Sequence, residues 1–115
     1  MGLTLFRLAL ALGWGILLWI TVQAGLQLGF DKAGDFFFGD MAHPWRAQFN
    51  IDFGFHLLLT AAWMIWSAQN RLVGLLCAVL AIMGGAVFTF AYLLAQTFLK
   101  GGNLKAVVLG RHYIV

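Results

Sequence analysis

Asp52 and His56 are the residues whose types and spacing most suggest chemistry. A carboxylate and an imidazole four residues apart share one helix face, and this pair opens a long apolar run. Three kinds of chemistry fit it. The imidazole of His56 would ligate a haem or chlorophyll-type metal, with Asp52 orienting the ring from behind. The pair would alternatively relay protons or hold an ion in an oligomeric carrier, because one charged helix face in so short a chain needs a second copy. Or Asp40, His43, Arg46 and Asp52 would form a polar site at a membrane surface for a quinone headgroup or a lipid head. His56 is the only histidine inside a candidate span, so a bis-histidine haem would need a second chain. Beyond that single candidate ligand the sequence assigns no metal site, and the cofactor is unknown. A purely structural role accounts for the same residues. Asp52 then caps and snorkels at the interface with Arg46 as counter-ion, and His56 donates to a glutamine without changing state.

Enzymatic chemistry has the least support. No H-E-x-x-H, G-x-S-x-G or comparable spaced motif occurs, and the expectation is a protein that is not an enzyme. The only cysteine, Cys77, lies inside an apolar run, which excludes an intrachain disulfide and suits a small packing residue.

The elements that must position these residues are membrane helices. Of 115 residues, 63% are hydrophobic and 10% are charged, whereas soluble chains carry roughly 25% charged residues to meet water. The net charge of +3 is dispersed, and a nucleic-acid surface needs a clustered basic stripe, so nucleic acid is excluded as a partner. Leu3 to Leu28 forms a first transmembrane helix, since about 20 apolar residues cross a hydrocarbon core of roughly 30 Å. Arg7, the apolar run and Val22-Gln23-Ala24 also fit a signal peptide, but the run is long for one. Gly29 to Pro44 is an interfacial connection whose aromatics enter the acyl boundary while Asp31, Lys32, Asp35 and Asp40 stay wet. Pro44 suits the first turn of a second helix, with His43 or Asp40 near its cap and Trp45 beside it. That helix runs from about residue 45 to 68. A polar turn, Ser67 to Arg71, leads to 28 uncharged residues, Leu72 to Leu99, read as one long tilted third helix. Residues 100 to 115 form a surface tail. The expected fold is therefore one all-α integral membrane domain, three transmembrane helices in a hairpin bundle.

Three spans bring the first connection and the tail to one side, with Lys32, Arg46, Lys100, Lys105 and Arg111 against Arg7 and Arg71. Five cations against two place that side, and the C-terminus, in the cytoplasm of an inner or cytoplasmic-type membrane. The same topology gathers three i, i+4 pairs in one leaflet: Gln23 and Gln27, Asp52 and His56, Tyr92 and Gln96. Ionisable groups within a span mark function by default, so these six form the expected polar cluster. Cys77, Ala81, Gly85 and Thr89, with Gly74 alongside, make a small-residue row for close helix packing. Trp14 and Trp19 lie deep in the first helix, out of reach of headgroups.

At Pro44-Trp45, Asp52-Phe53, Ala62-Trp63-Met64-Ile65, Gly84 or Gly85, and Ala91-Tyr92-Leu93-Leu94, the chain resembles an uncharacterised family of small three-span membrane proteins, grouped as a domain of unknown function. The resemblance covers roughly residues 44 to 95 and implies a three-helix hairpin, with no activity, substrate or cofactor. By size the chain also resembles the three-span anchors of succinate dehydrogenases. Here, however, the aspartate precedes His56 and Asp-Tyr never occurs, so no residue is carried over. Minimal loops, small-residue rows and deep tryptophans point to a non-catalytic accessory subunit of a larger membrane complex, an energy-transducing one with pigments or quinones. Its partners would be membrane lipid and other membrane-protein subunits. The alternatives are an oligomeric small-solute or proton-coupled carrier using Asp52 and His56, and a haem- or quinone-binding membrane anchor.

Overall fold

Local capping chemistry sets most element boundaries in the computed structural model, which describes residues 2 to 114. The first helix, α1 (Gly2–Leu28), carries no proline and stops at Gly29. Gly29 takes φ 96°, a conformation open to glycine, and its N–H donates to the Gly25 carbonyl at 2.8 Å. A short helix α2 (Ala33–Gly39), flanked by 3-10 turns, forms the connection. His43 is extended at φ −105° and ψ 117°, and Pro44 starts α3 (Pro44–Ser67), where its missing N–H costs nothing. His43 is thus the N-cap residue, although its side chain makes no capping bond. Asn70 caps α4 (Arg71–Gly84), its Oδ1 accepting from the Leu72 N–H at 2.8 Å. After α5 (Ala86–Leu99), the Gly102 N–H reaches the Thr97 carbonyl at 2.7 Å and closes the helix end. Asn103 then caps α6 (Leu104–Leu109). Among the described residues the chain is all-helical, with no strand.

The expected helix over 72–99 is not continuous. Gly85 interrupts it at φ 57° and ψ −138°, outside the range that residues with a Cβ readily adopt. The chain reverses there, and α4 and α5 become two antiparallel arms of 14 residues each. Val73 and Cys77 on one arm line the same cleft as Gln96 and Tyr92 on the other. In a straight helix Val73 and Gln96 would stand about 35 Å apart. Gly85 is therefore the hinge of the turn and not a member of a packing row.

The two arms meet different partners. α4 packs along the second half of α3, where Gly74 approaches so closely that an added Cβ would lie 2.9 Å from the Ala68 Cβ and 3.2 Å from the Ile65 Cα. Ala61, Met64, Ala78 and Ala81 are buried in this seam, the close small-residue contact expected of Gly74 and Ala81. α5 packs antiparallel to α1, with Gly13 under the Phe90 ring and Arg7 beside Thr97. Residues 104 to 112 do not lie loose on a surface. Ala106 and Val107 are buried, the Trp63 Nε1–H donates to the Val108 carbonyl at 2.7 Å, and Gly110 backs onto Ser67.

The molecule is a rod measuring 49 × 26 × 24 Å. One end holds the start of α1, the 68–70 turn, the end of α5 and α6. The other holds the 29–43 connection, the end of α1 and the start of α3. The tail thus sits opposite the first connection, not beside it, because the arms of the α4–α5 hairpin return to the end they started from. Among the described residues only α1 is both long and apolar enough to cross a membrane, judged by length and composition. α3 has the length but carries Asn50, Asp52 and His56, and α4 and α5 are each about 21 Å long.

Candidate functional site

The six residues expected in one polar cluster lie towards opposite ends of the rod. Tyr92 and Gln96 are at the α6 end, where the Tyr92 ring meets Trp63 edge-on at 5.8 Å between centroids. Gln23 and Gln27 are near the other end. Arg7 marks the level of Thr97, and Gln23 is 16 residues beyond Arg7 on the same helix, about 24 Å away. Asp52 and His56 lie about the middle of α3. Their separation from Tyr92 and Gln96 follows from the reversal at Gly85.

Asp52 and His56 do form a pair. Oδ1 and Nε2 are 3.3 Å apart, and the side chains are 55% and 74% exposed. Nothing in the rest of the chain covers them. The His56 carbonyl is occupied, accepting from the Thr60 hydroxyl at 3.0 Å. At the start of α3, Arg46 donates to the Asp40 carboxylate at 3.4 Å, while His43, Pro44 and Trp45 are exposed. Arg46 is thus the partner of Asp40 and not of Asp52. Above this region lies an apolar groove of about 990 Å³, lined among others by Phe37, Phe38, Phe53, Leu57, Ile82 and Met83.

Tyr92 and Gln96 instead join Ser67, Asn70, Cys77 and Lys100 around a cleft of about 270 Å³ between the hairpin arms. The cleft is rich in donors, contains no carboxylate and has Lys100 at its rim. It offers hydrogen bonds and one positive charge to an oxygen-bearing group, but no general base. Its volume falls just below the roughly 300–1,000 Å³ of usual small-molecule sites.

Arg7 carries the most elaborate polar contact. Its Nε donates to the Thr97 Oγ1 and one of its terminal nitrogens to the Thr97 carbonyl, both at 3.0 Å. Its guanidinium carbon sits 3.8 Å from the Phe98 ring centroid, a cation–π geometry. The cation also lies against the C-terminal turn of α5, the negative end of its dipole.

The charges separate along the rod. Arg7, Arg71, Lys100, Lys105 and Arg111 are at the α6 end, Lys32 and Arg46 share the other end with Asp31, Asp35 and Asp40, and Asp52 lies further in along α3. Among the described residues no group of three or more His, Cys, Asp or Glu could hold a metal ion. Comparison with known proteins found no family model, no curated protein and no solved structure that matches the chain.

Proposed function

We propose that this protein is a small non-catalytic subunit embedded in a membrane and completed there by another polypeptide. In this reading α1 and α3 cross the bilayer, and the α4–α5 hairpin dips in from the basic side and returns. The rod length of 49 Å suits a bilayer of about 40–45 Å including headgroups. A buried reversal must satisfy its own backbone, and at Gly85 both backbone groups are paired. Its N–H donates to the Ala81 carbonyl at 2.8 Å, and its carbonyl accepts from Phe88 and Thr89 at 3.2 and 3.0 Å.

The surface supports the same reading. The chain exposes 8186 Å², where a compact soluble protein of this mass exposes roughly 6,200 Å². Only Leu10 of α1 is buried, while Leu5, Leu12, Ile16, Trp19 and Leu26 are exposed. So large an apolar surface calls for lipid or protein around it.

The exposed Asp52–His56 pair carries the step from membrane protein to subunit. Measured along α3 from Ser67, His56 and Asp52 lie about 16 and 22 Å inward, within a core roughly 30 Å thick. Ionisable groups facing lipid at that depth are costly, by about 3 kcal/mol for a central aspartate on insertion scales. A neighbouring chain that covers the pair and offers it hydrogen bonds removes that cost. Extraction in mild detergent followed by native mass spectrometry tests this. Other chains are expected to travel with the 12.7 kDa subunit, and Asp52→Leu should release them. A monodisperse, partner-free monomer sinks the proposal. A particle made of this chain alone also overturns it, in favour of the carrier that works through Asp52 and His56 across its own interface.

A further inference from the structure

Away from the Asp52–His56 face, the outer side of the α3–α4 seam brings two arginines to one groove. Arg71, the first residue of α4, and Arg111, in the 3-10 turn after α6, are forty residues apart in sequence. Both line one groove of about 470 Å³ with Trp66, Ala62, Ile65 and Leu75. We propose that this groove binds an anionic phospholipid, with the two guanidinium groups on its phosphate and an acyl chain along Ala62, Ile65 and Leu75. The proposal rests on the membrane reading above.

Charge is the first argument. All four aspartates lie towards the other end of the rod, and the ion pairs among the described residues are Arg46–Asp40 and His56–Asp52. Two arginines converge here with no carboxylate between them, and an anion would relieve their mutual repulsion. Guanidinium groups suit phosphate oxygens because each offers parallel donors in a fixed plane. Arg71 also stands at the N-terminus of a 14-residue helix, where the dipole adds to the attraction.

Geometry is the second argument. Arg111 is braced: its Nε donates to the His112 Nε2 at 3.3 Å, and the His112 ring stacks on the Trp66 indole at 4.1 Å. In the tautomer that carries its proton on Nε2, His112 instead donates to the Trp66 carbonyl at 3.0 Å, so the nitrogen serves one partner or the other while the ring stack stays. The tail that carries Arg111 is fixed to the end of α3 by Trp63 and Gly110, so the two arginines come from elements held together. The order of the lining follows the order of a lipid. Both arginines and Trp66 are at the basic end, while Ala62 and Leu75 lie about 6 Å further in, each one helical turn deeper. Trp66 at this level suits the headgroup belt. An inorganic phosphate would use the arginines but leave the apolar lower half of the groove unexplained, so the choice falls on the lipid. Basic pockets between membrane helices on the cytoplasmic side are a recurring setting for acidic headgroups.

The experiment titrates the full-length chain in neutral detergent with phosphatidylglycerol and with phosphatidylcholine of the same acyl chains, reading bound lipid by native mass spectrometry. Phosphatidylglycerol is expected to bind more tightly, and Arg71→Gln and Arg111→Gln should each weaken it by roughly fivefold. Lys105→Gln, on α6 outside the groove, should leave the preference unchanged. Leu75→Trp, which fills the groove and keeps both arginines, should weaken both lipids. Equal binding of the two lipids overturns the proposal, as does an equal loss in Lys105→Gln. Displacement of phosphatidylglycerol by millimolar inorganic phosphate points to a free-anion site and also overturns it. A carbonate wash of membranes holding the chain separates this failure from the broader one. If the chain leaves with the wash, the membrane reading fails. If it stays and shows no lipid preference, only the groove assignment fails.

Discussion

Thr97 is fully buried, and its hydroxyl works twice: it accepts from the Arg7 Nε and donates to the Leu94 carbonyl at 2.6 Å. Its carbonyl takes a second bond from Arg7. Valine would keep the shape of this side chain and lose the hydroxyl, leaving the Arg7 Nε without its partner. Thr97→Val is expected to lower stability by about 1–3 kcal/mol, read as a shift in thermal unfolding in detergent. Thr21→Val is the matched control, since the Thr21 hydroxyl only bonds back to the Leu17 carbonyl on an exposed face, and its effect should stay within about 0.5 kcal/mol. Equal shifts for the two variants would mean that the Arg7–Thr97 contact does not hold α1 to α5. None of this was legible in the sequence. Arg7 stood out there only as a charge flanking an apolar run, because its partner is 90 residues away. The Asp52–His56 pair was legible, since an i, i+4 spacing on a helix is a local fact.

At the scale of elements, the same contrast between local and distant signals decides what could be read. Pro44, the polar turn before Arg71 and Gly101-Gly102 each set a boundary through their own backbone chemistry, and each boundary falls near where the sequence puts it. Gly84-Gly85 is also a turn signal. Composition alone does not decide it, because one 28-residue apolar helix and two 14-residue arms have the same composition. What separates them is the α3 seam, where Gly74, Ala78 and Ala81 pack α4 along its whole length, and that seam is not visible in a single segment. The hairpin is directly measurable. In a Cys77→Ser background, spin labels on Val73→Cys and Gln96→Cys should report a separation near the roughly 10 Å of packed helices, lengthened by the label tethers. A separation of about 35 Å, the span of 23 residues in a straight helix, would restore the single third span. Gly85→Ala should destabilise the protein by about 1–3 kcal/mol through backbone strain alone, because its Cβ would meet nothing closer than the Phe53 Cζ at 3.4 Å.

For the whole molecule, the reversal at Gly85 redistributes charge between the two ends of the rod. A through-going third helix places Lys100, Lys105 and Arg111 with all four aspartates. The hairpin instead places them with Arg7 and Arg71, giving one end of five cations and no aspartate, and another of two cations and three aspartates, with Asp52 further in. Cations near membrane helices favour the cytoplasm, and acids count little. Both arrangements leave five cations against two, and both put the residues after α5 in the cytoplasm. They disagree about the start of α1 and the 68–70 turn, which the hairpin moves to that same side, and about the 29–43 connection, which it moves to the opposite one. Cysteine labelling of right-side-out vesicles resolves the disagreement, again with Cys77→Ser as background. Gly34→Cys, in the acidic connection, should react with a membrane-impermeant maleimide at once. Gln69→Cys and Val108→Cys, at the basic end, should react only after permeabilisation. Reaction of Gln69→Cys from outside, with Gly34→Cys and Val108→Cys both protected until permeabilisation, would return the three-span hairpin. Joint reaction of Gly34→Cys and Gln69→Cys would mean that α3 does not cross, and the depth assigned to Asp52 and His56 would go with it. The lipid groove depends on the same result, because Arg71 and Arg111 reach acidic headgroups only if the basic end sits at the cytoplasmic leaflet, where those lipids concentrate.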